Sequence, residues 1–230
     1  MVQEPDRWVK AENRVKTEKK HALLKDIFTR EFRRRSWGNA LLLTVAMVGL
    51  WAGTVYLPTA ILDLAKAHSI VPTTATHIAS YGVGLLAIFT VIGCLLTPVI
   101  ARTWGRRTML AIWLICMIVG VVGTFGIAFY SQSITIFFWF IPIHGLGGAD
   151  FAVFTLWLPE QYPTEIRATA FAFATSIGRF AGDIITFLVG AMVASMGTLG
   201  KPVMFTAIAF VIGLFLLRMS PETRGQNLPE

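Results

Sequence analysis

The chain has 230 residues, 55% of them hydrophobic and only 14% charged, with a formal net charge of +7. A soluble domain carries about 25% charge, so an ordinary soluble enzyme or binding module is excluded, as the mean hydropathy of +0.64 also indicates. The basic balance follows chain topology, and no recognition module accompanies it, which argues against nucleic acid as a partner.

Residues 1–36 are polar and carry 11 of the Lys and Arg residues. They lack the pattern of a cleavable signal peptide, so membrane insertion must rely on later segments. Leu24, Phe28 and Phe32 recur every four residues, with Leu23 and Ile27 beside them and Lys25, Arg30 and Arg33 on other faces. This predicts an amphipathic helix on a basic segment lying at the inner leaflet. The alternative is a solvated basic linker.

Six apolar blocks follow, at 37–62, 78–100, 109–130, 134–158, 168–196 and 203–217, the last extending to 219. A bilayer span needs about 20 such residues, and nothing shows the strict alternation of a membrane β-barrel. The predicted fold class is an all-α integral membrane protein with six transmembrane helices over 37–219 and a tail over 220–230. Of the 20 Lys and Arg residues, 17 fall before the first block or after blocks two, four and six, against Lys66 and Lys201 on the other side. The positive-inside rule then places both termini in the cytoplasm.

The loop 63–77 is the longest predicted outer connection, and it holds Asp63, His68 and His77 as solvated residues. Residues 131–133 join blocks three and four as an antiparallel pair. Glycines recur within blocks three and four, where small residues let membrane helices approach. Residues 145–148 are also a candidate hinge, and Gly178 and Gly182 a candidate kink in the long fifth block. Cys94 and Cys116 fall inside blocks and show neither disulfide nor metal-ligand spacing.

The fifth block contains only two charges, Arg179 and Asp183. Arg179 lies roughly 16 Å from Ala168 at 1.5 Å per residue, near the centre of a ~30 Å hydrocarbon core. A charge there costs about 2.5–3.5 kcal/mol on insertion scales, which marks it as a functional candidate. Being four apart, the two share one helix face. Arg179 is suited to a substrate carboxylate through its planar fork, and Asp183 to carrying a proton. The structural alternative is a buried ion pair. Asp150 and His144 within the fourth block are further proton or substrate candidates, or satisfied core groups. Trp51, Tyr56, Trp139 and Trp157 are candidate cavity walls or packing residues.

Three motifs sit at the basic end. Arg102-Thr103-Trp104-Gly105-Arg106-Arg107 follows block two, Pro159-Glu160-Gln161-Tyr162-Pro163-Thr164-Glu165-Ile166-Arg167 joins blocks four and five, and Pro221-Glu222-Thr223-Arg224-Gly225 follows block six. In combination they resemble the C-terminal half, helices seven to twelve, of a major facilitator superfamily transporter of the sugar-porter or metabolite:proton symporter type. Glu4-Pro5-Asp6-Arg7-Trp8 is similar to the segment after that family's sixth helix.

The resemblance implies half of a twelve-helix secondary transporter. Gly105, Arg106, Arg107, Glu160, Arg167, Glu222 and Arg224 would form a cytoplasmic gate network, and Arg179, Asp183, Asp150 and His144 would serve substrate and proton coupling. It implies a plasma or inner membrane location, no cofactor beyond a coupling proton, the lipid bilayer as environment and a small-molecule substrate. The other half comes either from a missing N-terminal segment or from a second copy. Two departures bear on this. Arg102, followed by Thr103, stands where the family carries a carboxylate, which favours a non-transporting receptor or assembly partner as the alternative. Residues 45–59 lack the Gln and Asn of sugar porters, and Tyr56-Leu57-Pro58-Thr59 looks more like the metabolite symporters. A small organic anion is therefore expected before a sugar. No metal cluster, zinc-protease run or serine elbow suggests an enzyme.

Overall fold

The computed structural model describes residues 24–225, apart from the side chains of Leu50 and Ala52. Six helical spans run Arg33–Ala67, Pro72–Trp104, Arg106–Ala128, Ile134–Gln161, Thr164–Met196 and Gly200–Met219, and no strand occurs among the described residues. Each predicted block coincides with one span. The helices run past the apolar blocks because a helix satisfies its own backbone groups into the interfacial region. This shortens the outer loop expected over 63–77. Helix continues to Ala67 and resumes at Pro72, whose preset φ suits a first helical position.

The first and fifth spans form the most extensive helix pair. The fifth runs from Thr164 to Met196 as one helix, with no break at Gly178 or Gly182. Both glycines instead admit the first span: a Cβ at Gly178 would stand 3.1 Å from Leu43, and one at Gly182 3.2 Å from Met47. The interruption falls in the fourth span, where helix Ile134–Gly147 stops and Asp150–Trp157 begins. Opposite it, the third span passes from α-helix into a π segment at Val122–Ala128. Thr124 Oγ1 donates to the Gly120 carbonyl at 2.7 Å at that junction. Such π segments are frequent at functional sites.

The described part of the N-terminal segment does not form the expected amphipathic helix. Leu24–Phe28 is a single 3-10 turn, because the bundle offers its apolar residues a better surface. Ile27 is fully buried. The Phe28 ring meets Phe173 edge-on at 5.0 Å and Trp37 at 5.8 Å, while Ser36 Oγ donates to the Ile27 carbonyl at 2.7 Å. Phe32 lies against Tyr162. Leu23 and the residues before it lie outside the described residues.

Gly120 allows the fourth span to approach the third, since a Cβ there would fall 2.5 Å from His144 Cα, whereas Gly84 faces open space. Gly120→Val is expected to destabilise the bundle by about 1–3 kcal/mol, and Gly84→Ala to leave it within about 1 kcal/mol. Thermal unfolding of the detergent-purified variants checks this; equal melting temperatures for the two would contradict the packing.

Candidate functional site

Three groups of polar residues occupy three different places in the bundle. The first lies at the basic end. Gly105 separates the second and third spans at φ +95, and a Cβ there would come 2.8 Å from Glu222 Oε2. Only glycine suits both constraints. Into this opening the tail inserts Glu222, whose carboxylate accepts the backbone N–H of Arg106 at 2.9 Å and of Arg107 at 3.0 Å. These are otherwise orphan donors at the start of a helix that no local side chain caps. Glu222 also accepts the N–H of Thr223 and of Arg224, each at 3.1 Å.

Arg106 then binds Glu160 through two parallel bonds, Nε at 3.0 Å and Nη2 at 2.8 Å. This fork geometry is the strong form of the pair. Thr223 Oγ1 donates to the same Glu160 carboxylate. Three turns of the chain that are distant in sequence therefore close on two carboxylates. The expected network is corrected in its details. Arg107 and Arg224 meet Glu222 through their backbone N–H groups. Arg167 donates to the Tyr162 carbonyl, at 3.3 and 3.1 Å, and so braces its own turn.

Burial pushes the Glu222 carboxyl up, but the four backbone N–H donors, from Arg106, Arg107, Arg224 and Thr223, outweigh it and hold the group below its ordinary value of 4.5. A carboxyl depressed in the folded state contributes stability above its unfolded pKa and loses it as pH falls through the folded one.

Beside this cluster lies a buried polar network that the motifs did not reveal. Asn39 Nδ2 donates to Gln161 Oε1 at 3.1 Å and to the Tyr162 hydroxyl at 3.2 Å. Ser220 Oγ donates to Asn39 Oδ1 at 2.9 Å, and Ser36 Oγ lies 3.2 Å from the Tyr162 hydroxyl. Trp157, expected as a candidate cavity wall, is fully buried and donates to the Pro221 carbonyl at 3.0 Å. The available signal was Asn39 itself, a lone amide at the start of an apolar block.

The second group is internal. His144 and Asp150 flank the break in the fourth span, with 1% and 0% exposure. Neither ring nitrogen of His144 and neither oxygen of Asp150 has a hydrogen-bond partner among the described residues. A cavity of about 10 Å³ lies beside His144, lined also by Thr54, Thr90 and Gly148. The expectation that a core histidine here would bond a carbonyl is therefore not met.

The third group is on the outside of the bundle. Arg179 and Asp183 are both exposed on the fifth span, and no ion pair joins them among the described residues. The alternative of a buried ion pair is set aside, because the glycine face of this helix packs on the first span and turns the charged face outward. The site candidates thus separate: Asp150 and His144 inside, Arg179 and Asp183 on a free face. Tyr56 donates to the Thr186 carbonyl at 2.9 Å. Trp139 is 76% exposed and borders an open groove of about 550 Å³ with Tyr81 and Phe138. Trp51 is exposed, and His68 reaches the Gln132 carbonyl at 2.6 Å. No cluster suited to a metal ion occurs among the described residues.

The family model of the Major Facilitator Superfamily matches residues 2–185. The chain is 24% identical over 204 residues to a probable 4-methylmuconolactone transporter of Cupriavidus pinatubonensis, covering 89% of this chain and 45% of that one. It is 41% identical over 75 residues to a gallate transporter of Pseudomonas putida, covering 31% of this chain and 16% of that one. In fold it is similar to an inward-open structure of the xylose transporter XylE from E. coli. That similarity has a TM-score of 0.63 at 19% identity and covers 81% of this chain and 47% of the other. The chain spans less than half the length of these relatives.

The Glu222 contacts predict a pH signature. The melting temperature of the purified protein should fall as pH drops below about 4.5, and Glu222→Gln should lower it near neutral pH while flattening that fall. A pH profile of Glu222→Gln parallel to that of the parent would contradict the capping role.

Proposed function

This chain belongs to the Major Facilitator Superfamily, and on that premise we propose that it forms one six-helix half of a secondary transporter that carries a small organic anion together with protons. The observation that carries this reading is the exposed Arg179–Asp183 face on the fifth span. A guanidinium at mid-bilayer depth is costly against lipid and useful against water or a carboxylate. In a carrier built from two halves, the cavity lies between them. A face that is free in one half is then a cavity wall in the whole.

The substrate class rests on the same residue. Arg179 offers a planar fork suited to a carboxylate, and a relative described as a gallate transporter handles an anion. A sugar is the second choice, favoured by the likeness in fold to a xylose transporter and disfavoured by residues 45–59, which lack the sugar porters' Gln and Asn. The other half would come from a preceding segment or a second copy. The distribution of lysines and arginines supports a reading with both termini in the cytoplasm and a plasma or inner membrane as the location. The Glu222, Arg106 and Glu160 cluster at that end would act as a gate that closes in one state and parts in another. Arg102 in place of a carboxylate keeps a receptor or assembly role as the competing reading.

Transport is tested in proteoliposomes holding the full-length gene product, with labelled gallate as probe and an imposed pH gradient. The expected result is gradient-driven accumulation. Arg179→Lys keeps the charge but loses the fork, and should lower uptake about ten- to hundredfold, the equivalent of one charge-assisted hydrogen bond of about 1.5–3 kcal/mol. Uptake unchanged by Arg179→Lys would remove the anion site from Arg179. Absence of accumulation for gallate and for other organic acids, with binding retained, would favour the receptor.

A further inference from the structure

We propose that Asn39 is the positioning residue of the gate at the basic end: one amide on the first span holds the sequence neighbours of both gate carboxylates and ties their placement to that span. This deepens the gate reading of Glu222, Arg106 and Glu160 and rests on it for its purpose.

Asn39 lies near the start of the first span and is 1% exposed. Its oxygen accepts from Ser220 Oγ at 2.9 Å, and its nitrogen donates to Gln161 Oε1 at 3.1 Å and to the Tyr162 hydroxyl at 3.2 Å. Ser220 stands two residues before Glu222, and Gln161 directly follows Glu160. Both carboxylates of the gate are therefore reached from one side chain that touches neither.

The surrounding hydroxyls fix the direction of these bonds. Ser36 Oγ gives its proton to the Ile27 carbonyl, so the Tyr162 hydroxyl donates to Ser36 and accepts from Asn39. The junction then needs two donors and one acceptor on a single side chain. A hydroxyl has one donor and a carboxylate none, whereas an amide supplies the full set. Bonds linked in this way polarise one another, and a bond lost here leaves a buried polar atom that no water relieves. Filling space does not require an amide, since the neighbouring Ala40, Leu42 and Leu43 are apolar and equally buried.

The same turn of the first span touches the helix that carries Arg179. Leu43, one turn beyond Asn39, lies against Gly178, where a Cβ would stand 3.1 Å from Leu43 Cδ2 and 3.2 Å from its backbone. On the other side Gly38 admits the tail, since a Cβ there would stand 3.2 Å from Met219 Cβ. This turn is thus pressed between the residue before Arg179 and the residue before Ser220, and Asn39 is the polar group within it. A shift of the fifth span against the first is carried through Asn39 to Glu222 and Glu160 together.

The test uses the full-length gene product in lipid nanodiscs and needs no substrate. The N–H groups of Arg106, Arg107, Thr223 and Arg224, all bonded to Glu222, report the closed gate through their hydrogen–deuterium exchange, read by mass spectrometry. Asn39→Leu keeps a side chain of similar size and removes the junction. It is expected to speed exchange of these groups about tenfold, the effect of one net hydrogen bond. Ser220→Ala severs only the branch to the tail and should do the same. Tyr162→Phe cuts the branch towards Ser36 and should leave the rates within about twofold of the parent, as for an independent site. Gly178→Ala presses on Leu43 from the fifth span. It should change the rates by at least about threefold in the parent and add nothing in the Asn39→Leu background, the sign of coupled positions.

Rates unchanged in both Asn39→Leu and Ser220→Ala would overturn the assignment. So would a Tyr162→Phe effect equal to that of Ser220→Ala, which would spread the role over the whole network. A Gly178→Ala effect of the same size with and without Asn39 would make the amide a static post and overturn the coupling. Should Asn39→Leu fail to fold, Ser220→Ala, which removes one hydroxyl, takes its place alone and with Gly178→Ala. Failure of gallate transport would leave these rates standing, and rates that do not respond would leave gallate transport standing.

Discussion

The Glu222 carboxylate closing the N-terminus of the third span is the contact on which the arrangement of the basic end depends. A helix that begins immediately after Gly105 has no side chain of its own to meet its first N–H groups. The tail supplies one from beyond the sixth span. Once Glu222 is seated, Thr223 is positioned to reach Glu160, and Glu160 in turn holds Arg106. The turns after the second, fourth and sixth spans are thereby joined by partial charges and charge-assisted bonds at the water boundary. Contacts of this kind can be exchanged for water at modest net cost, since a hydrogen bond in water contributes only about 1 kcal/mol. That makes them suitable for the gate proposed at this end.

Deeper in the bundle the rules change. No water competes there, and spans associate through close contact rather than through the hydrophobic effect. Gly178 and Gly182 bring the fifth span onto the first, and the same contact turns Arg179 and Asp183 away from the bundle. One helix thus does two jobs by virtue of its period: its small face packs and its charged face remains free. The fourth span does the opposite. It is interrupted at Gly148, and its polar residues His144 and Asp150 are buried inside the bundle. Polar groups on a free face and polar groups sealed inside one half are separate solutions to carrying charge within a membrane.

The sequence made the spans legible because hydrocarbon thickness sets a length that composition reveals directly; each apolar block became a helix. It made the Arg106, Glu160 and Glu222 cluster legible through three motifs, though not which atoms meet. Backbone N–H donors leave no mark in a motif, so the entry of Arg107 and Arg224 through their main chain was invisible. The Asn39, Gln161, Tyr162 and Ser220 network was missed for another reason. Its members are scattered across more than 180 residues of sequence and have no common spacing. Arg179 and Asp183 stood out as charges in an apolar run, but whether they faced inward depended on which side of the helix carried the glycines. The N-terminal turn misled because a four-residue apolar period describes equally a surface helix and a short turn tucked under Phe173 and Tyr162.

On the proposed function, the free face of the fifth span lines a water-filled cleft shared with another six-helix half. Ser176 lies exposed about one turn before Arg179. In a background with Cys94 and Cys116 replaced by serine, Ser176→Cys gives a thiol on that face. Its reaction with a charged, membrane-impermeant thiosulfonate is the most direct measurement. The account predicts modification from the aqueous phase and protection by the transported organic acid. Modification only by a lipid-soluble maleimide, with no protection by any organic acid, would place this face against lipid and contradict the account.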